Sequence, residues 1–464
     1  MKKSSKFKLL IFLVISIVIL IYFSLSIIQA QVKIEGKPDK PPGKNKHPCN
    51  NNGNCEGEEY NWRESQDSQP CDDCLPQNYG NLIINQDTLQ IVTAFNGNQI
   101  YQYKYDPDPI NNYNYRVSWA SSVTPANGCA TVIGDVDNDG QKEIITAVSY
   151  MVGERKRGRN KSNTYNHKIY IFEDEDGCPD GLPTWTSREL GELKDWIRQA
   201  VIEDVDNDRQ KEIVMITWHD IIVYQINWDG LGYNLEPEYQ DAFPKYDDTI
   251  FSLDVGDADN DSKNELVLAM FNIGAPIIWK YDDQNKKWIE TIAEPINVLN
   301  PDISFLGIDV VKVRDVDNDP LNEIIAGGNN NTLMIWKWEN DESKGKHAYK
   351  SKFISDFLEG FTQGVDAGDV DGDGQNEVVV ATSGTTEGTN YLHIFKYIDG
   401  VYEIVNSLER NDMEFWVKVK DIDNDGKAEI VSSTQGITIY EYDDSGELKK
   451  TYNCAFAGIN IDVN

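Results

Sequence analysis

Histidine is scarce in this chain, with five in 464 residues. His47, His167, His219, His347 and His393 share no common spacing, so no recurring imidazole site can be assembled from them. No GxSxG, HExxH or phosphate-cradling glycine loop is present either, which removes the reaction classes that announce themselves by motif. Positive charge is sparse: 43 Lys and Arg stand against 77 Asp and Glu, for a formal charge of −34. That balance excludes nucleic acid and anionic membrane surfaces as main partners. No helical apolar period extends over any comparable length, and long apolar runs are absent apart from one.

That run spans Leu9 to Ile28 and follows Lys2, Lys3, Lys6 and Lys8. A membrane helix needs roughly 20 apolar residues and a secretory h-region only about 7–15, so the length favours an uncleaved anchor. Ala30, a small residue after Ile28 and Gln29, keeps a cleaved signal open. Either way the lysines stay cytoplasmic and the chain from Gln31 onward is exported. The expected location is the extracellular side of the membrane, as a single-pass protein with a cytoplasmic N-terminus, or the secreted state.

Residues 31–76 are rich in Lys, Pro, Gly, Asn and Asp and read as an extracellular linker or stalk. Seven cysteines stand at 49, 55, 71, 74, 129, 178 and 454. In an exported chain, two disulfides among Cys49, Cys55, Cys71 and Cys74 are preferred to a four-thiolate zinc site. The odd count leaves one cysteine free or paired between chains.

Residues 77–464 contain a repeat. Six segments align on their aspartates: GDVDNDGQKEI from Gly134, EDVDNDRQKEI from Glu203, GDADNDSKNEL from Gly256, RDVDNDPLNEI from Arg314, GDVDGDGQNEV from Gly368 and KDIDNDGKAEI from Lys420. Their spacing of about 50–70 residues falls in the range of propellers and solenoids. An apolar run precedes each loop, as in Ala130 to Ile133, and a β-rich run follows it, as in Val378 to Ala381. A third run alternates aromatic with polar residues, as in Ile277 to Tyr281 and Ile437 to Tyr442, and a fourth, weaker one precedes the next loop. Four short strands per unit describe a propeller blade.

Residues 82–105 repeat the second and third strands with only a vestigial loop, Asn85-Gln-Asp87, while Gly458 to Asn464 resembles the entry to a repeat. The expectation is an all-β fold, a seven-bladed β-propeller of four-stranded blades. In it the C-terminal strand completes blade 1 so that no sheet edge stays open. An N-terminal transmembrane helix or signal sequence (1–30) and the cysteine-containing stalk precede it.

Within each loop the acids occupy relative positions 1, 3, 5 and 9. They are Asp135, Asp137, Asp139 and Glu143; Asp204, Asp206, Asp208 and Glu212; Asp257, Asp259, Asp261 and Glu265; Asp315, Asp317, Asp319 and Glu323; Asp369, Asp371, Asp373 and Glu377; and Asp421, Asp423, Asp425 and Glu429. Alternate side chains of a tight loop converge, and hard Ca²⁺ takes about six to eight oxygens. The position-7 carbonyls of Gln141, Gln210, Lys263, Leu321, Gln375 and Lys427 are candidates for a further ligand. Left empty, four carboxylates at this spacing repel one another. The expectation is up to six structural Ca²⁺ ions.

An EF-hand needs a bidentate Glu at position 12, where this chain has Thr146, Met215, Leu268, Ala326, Val380 and Ser432. The acid at position 9 with flanking strands instead resembles the FG-GAP and VCBS repeats of integrin α-subunit propellers and many exported microbial proteins. Position 6 favours positive φ, which glycine supplies at Gly140, Gly374 and Gly426, whereas the other loops hold Arg209, Ser262 and Pro320. Proline resists that conformation, so the Asp315 loop is expected to bend differently or bind weakly.

The resemblance implies an adhesion or ligand-binding module for an extracellular protein or polysaccharide; the N-terminal apolar run adds attachment to the membrane, and the acidic balance argues against a nucleic acid partner. A polysaccharide-active enzyme of lyase type and a structural envelope component are the alternatives; no catalytic residue is assigned. The basic segment from Glu154 to Lys161 is expected to be a mobile solvated insertion rather than an anion site. Trp196, Phe251, Phe305, Phe361, Phe415 and Trp416, which recur before the first strand, are expected to pack between blades rather than stack on sugars. His393, inside a strand, is expected to be packed rather than catalytic.

Overall fold

The computed structural model describes residues 90–463, apart from short stretches of the connecting segments. The expected anchor, stalk, stalk cysteines and vestigial loop all lie outside the described residues. Among those described, every regular element is a β-strand and no helix is long and apolar enough to cross a membrane.

The strands form seven antiparallel sheets. Blade 1 orders Asn460–Val463, Gln90–Ala94, Ile100–Tyr105 and Tyr115–Ala120 from the inside out. The inner strands of blades 2 to 7 are Gly128–Gly134, Gln199–Glu203, Ile250–Gly256, Val310–Arg314, Phe361–Gly368 and Trp416–Lys420. In blade 2 the outer position is shared by Trp185–Thr186 and Glu192–Leu193, both paired to the third strand. The C-terminal strand pairs antiparallel with the blade 1 strand, Ile91 opposite Val463 and Thr93 opposite Ile461. It touches the inner strands of blades 2 and 7, which closes the ring.

Seven apolar clusters hold the ring, one at each boundary between neighbouring blades. At the closing seam, Ile91, Tyr103 and Val463 of blade 1 meet Val431, Ile439 and Tyr452 of blade 7. Second strands are apolar on both faces because each sheet is covered by a neighbour on either side; Glu212–Ile216 is buried throughout. Close approach also explains the glycine before the first aspartate in three blades. A Cβ on Gly368 would stand 2.8 Å from Cγ1 of Val419 in the next blade.

At the basic segment, Glu143–Arg157 and Asn160–Phe172 continue as a ladder out to Lys156 opposite Lys161 and Arg157 opposite Asn160, so the insertion expected there is built as a long hairpin. Phe251 packs between blades, its ring 5.3 Å from Phe271 and 5.1 Å from Trp218, whereas Trp196 remains partly exposed beside Tyr165. Of the other four aromatics, Phe305 and Phe415 lie outside the described residues, Phe361 is half-buried at the start of the blade 6 inner strand, and Trp416 packs on the blade 1/7 cluster. His393 is buried, with Nδ1 2.8 Å from Ser407 Oγ, and burial lowers its pKa to about 4.

Candidate metal centre

Each aspartate loop joins a blade's inner strand to its second strand, and position 9 is the first residue of that second strand. The ladder closes the loop by pairing it with the residue before position 1: Gly134 with Glu143, Glu203 with Glu212, Gly256 with Glu265, Arg314 with Glu323, Gly368 with Glu377 and Lys420 with Glu429. Strand direction therefore places all six loops on one face of the ring. The connections between second and third strands, and those between blades, emerge on the other.

The glutamates are buried and fixed. One oxygen, Oε2, accepts the backbone N–H of position 2 in every loop: Val136 at 2.9 Å, Val205 at 2.9 Å, Ala258 at 2.9 Å, Val316 at 3.0 Å, Val370 at 3.1 Å and Ile422 at 2.6 Å. The position-1 aspartate folds the loop by accepting the N–H of position 6, as in Arg209 to Asp204 at 2.9 Å and Gly426 to Asp421 at 3.0 Å. Position 5 accepts from position 7, as in Gln210 to Asp208 at 2.8 Å.

This scaffold leaves the remaining oxygens pointing together. Ligand atoms of positions 1, 3 and 9 lie within 4.8 Å of one another in the loops of Asp135, Asp204, Asp257 and Asp315, and Asp425 joins them in the Asp421 loop. Asp139, Asp208, Asp261 and Asp319 stand outside those trios. In the Asp369 loop, Asp371, Asp373 and Glu377 converge on one ammonium, Lys396 Nζ, at 2.9, 2.7 and 2.8 Å.

An all-oxygen anionic donor set suits a hard divalent cation. Glu212 Oε1 and Asp135 Oδ1 are buried without a hydrogen-bond partner, the state of an acceptor arranged for a cation. Burial, reinforced by the neighbouring aspartates, pushes Glu143, Glu212 and Glu429 up to about 8 and Glu265, Glu323 and Glu377 up to about 7.

Neighbouring loops are chained. Asn264 donates its backbone N–H to Asn207 Oδ1 at 2.8 Å and its Nδ2 to the carbonyl of Asp204 at 2.9 Å. Asn322 does the same to Asn260 and Asp257 at 2.8 and 3.0 Å, and Asn376 to Asn318 and Asp315 at 2.7 and 2.8 Å. A tyrosine of the following blade also reaches some clusters; Tyr233 donates to Asp137 at 3.4 Å and to Glu173.

The Asp315 loop departs as its proline requires. Pro320 sits at φ 36°, against 69–92° at the other five position-6 residues. It has no N–H to give Asp315, so the fold across the loop is carried by Asn318 N–H to Asp315 Oδ1 at 2.8 Å.

A second charged set lies on the inner strands, outside the loop motif. Asp254, Lys312, Asp366 and Lys418 each lie three residues before a first aspartate, on consecutive inner strands. Lys312 and Arg314 reach Asp254 at 3.1 and 3.0 Å, Arg314 Nε reaches Asp366 at 2.9 Å, and Lys418 reaches Asp462 at 3.1 Å. The alternation of sign was visible in the alignment, but only ring closure brings the strands together.

Residues 315–380 and 369–432 match the family described as FG-GAP-like repeat. No curated protein matches the sequence. Among solved structures, a protein from Lactobacillus plantarum superposes with a TM-score of 0.51 at 12% identity, covering 81% of this chain and 99% of that one, which supports the fold alone. The rhamnogalacturonan lyase YesW is similar with a TM-score of 0.41 at 14% identity, covering 78% of this chain and 77% of that one. Chaetomium thermophilum Sqt1 reaches 0.42 at 12% identity over 71% and 73% of the two chains.

Proposed function

Because this chain is an FG-GAP repeat β-propeller protein, we propose that it is a calcium-stabilised ring displayed outside the cell, which binds a protein or polysaccharide on the face away from its metal loops. The observation that carries the reading is the convergence of buried, unpaired carboxylate oxygens in loops that all lie on one face. Calcium there ties inner to second strands, a structural role, and leaves the opposite face free. That face carries the exposed apolar side chains Met151, Val152 and Phe357, the last 73% exposed, along with the partly exposed Trp196 and the basic hairpin. Large exposed apolar groups of this kind mark interaction surfaces.

The N-terminal apolar run would hold the ring at the membrane, with the cysteine-containing linker as stalk. Extracellular Ca²⁺ is millimolar, so even sites with dissociation constants of about 10⁻⁴ M would be largely filled.

Thermal melts of the full chain in detergent, with calcium and with EDTA, test the metal; an unchanged Tm ends that part of the reading. A glycan array and product analysis test the ligand. Retention of intact glycan on wild type, lost in a Trp196→Ala, Phe357→Ala double variant, supports a binding face. Shortened glycan would replace the binder with an enzyme.

A further inference from the structure

The six loops are not equivalent, and the difference comes from the third strand. The residue facing position 9 across the second and third strands shares its side of the sheet and so points into the loop. The register pairs Glu323 with Lys337 and Glu212 with Gln225. Continued by one residue, it pairs Glu265 with Lys280, Glu377 with Lys396, Glu143 with Glu173 and Glu429 with Glu441. Blades 4, 5 and 6 thus present a lysine, blade 3 a glutamine, and blades 2 and 7 a further glutamate.

The lysines fill their loops. Lys280 Nζ lies 2.6 Å from Asp259, 2.6 Å from Asp261 and 3.1 Å from Glu265. Lys337 Nζ lies 2.8 Å from Asp317 and 3.1 Å from Glu323, and also pairs with Asp319. Lys396 does the same in blade 6. One ammonium thus bonds the acids at positions 3, 5 and 9 in each case, the oxygens a metal would need. A divalent ion in the same pocket would meet that ammonium within a few ångströms, and the two cations would compete for the same three carboxylates.

In the other three loops the third-strand residue that faces position 9 carries no positive charge. Glu173 shares the Tyr233 hydroxyl with Asp137, and Glu441 stands in the field of Glu429. Gln225 donates to Asp208 at 3.4 Å, while Glu238 lies within electrostatic reach of Asp204, Asp206 and Asp208. Calcium affinity rises with the number of ligand charges.

We propose that the lysines of blades 4, 5 and 6 replace metal, and that calcium is confined to the loops of Asp135, Asp204 and Asp421. The inference rests on the calcium reading above and narrows it. Its consequence is a ring with two halves. Blades 4 to 6 are tied by ammonium groups and by the Asn260–Asn322 and Asn318–Asn376 contacts, while Asn207–Asn264 joins blade 3 to blade 4. Blades 2 and 7, which flank the closing blade, and blade 3 next to blade 2 depend on the ion.

Calcium stoichiometry of the full chain, by titration calorimetry and elemental analysis after dialysis, tests this. Three ions per chain is the expected result. Six would overturn the proposal and leave the calcium reading standing; none would overturn both. K280Q, K337Q and K396Q are each expected to raise the count by one, and a count unchanged in all three overturns the lysines' role. Hydrogen exchange of the wild type gives an independent readout that does not need the variants to fold. EDTA should speed exchange in strands 128–148, 199–216 and 416–433 and spare 310–327 and 361–383. Uniform acceleration around the ring would contradict the division.

Discussion

The carboxylate of Asp462, in the last strand, accepts the backbone N–H of Ile133 at 3.0 Å, although 329 positions separate them. Its other oxygen meets Lys418 Nζ at 3.1 Å. One side chain of blade 1 thus bonds blades 2 and 7 at once and clamps the closing seam.

Asp462→Ala should therefore cost far more than a surface acid. It leaves the Lys418 ammonium unpaired and the Ile133 N–H unmet, at about 2–4 kcal/mol together. Denaturant unfolding measures it, and Asp462→Asn, which retains an acceptor, separates the charge from the hydrogen bond. A loss below about 0.5 kcal/mol, the level of ordinary surface substitutions, would show that the seam does not depend on this residue.

Much of this ring was legible in the sequence because the repeat is local. Positions 1 to 9 of each loop carry their own turn chemistry, and the strands flanking them alternate as strands must. The closing strand was legible too, since Gly458 to Asn464 begins a repeat that does not continue. What the loop motif hides is anything set by register between strands. Lys280, Lys337 and Lys396 lie about 20 residues from the acids they meet, and Asp254 lies 58 positions from Lys312. The pairing within the basic hairpin is likewise hidden, because charge density carries no strand signal, whereas the ladder between its two arms carries on past Met151.

Acidity offers a test of the buried glutamates. Burial pushes Glu143, Glu212 and Glu429 up to about 8 in the fold, far above the ordinary glutamate value near 4.5. A carboxyl whose folded pKa is raised favours the native state while protonated, so its contribution is full below about pH 4.5 and is lost as pH rises through 8. Without calcium, Tm should fall steadily between pH 5 and 9. Bound calcium holds the glutamates ionised, so in millimolar Ca²⁺ the slope should flatten or reverse. Calorimetric scans at several pH values decide it, and parallel curves with and without calcium would refute the coupling.

Pro320 supplies a case where the usual sign should invert. Replacing a loop proline by glycine ordinarily destabilises, by about 1 kcal/mol, through the freer unfolded chain. Here the ring is held at φ 36°, far from its preferred value near −65°, and Asp315 lacks the position-6 donor its counterparts enjoy. Pro320→Gly relieves the strain and restores the N–H, so stability should rise by about 1 kcal/mol net. A fall in the denaturation midpoint would mean the loop tolerates its proline without strain.

The asparagine contacts predict coupling between loops of different blades. Asn260 accepts the N–H of Asn322 at 2.8 Å and donates to its carbonyl at 3.2 Å, while holding φ at 58°. Alanine there would add backbone strain, so glycine is the informative replacement. The protein contains its own precedent: Gly372 stands at that position in blade 6, and its partner position in blade 7 is Ala428. Asn260→Gly should cost about 1–2 kcal/mol for two hydrogen bonds. Asn322→Ala should cost about 1 kcal/mol for the bond to the Asp257 carbonyl. Combined, the two should cost less than their sum, because a loosened loop gains little from the bond that remains. Strict additivity in a double-mutant cycle would show that the two contacts act independently and that the blades are not linked through them.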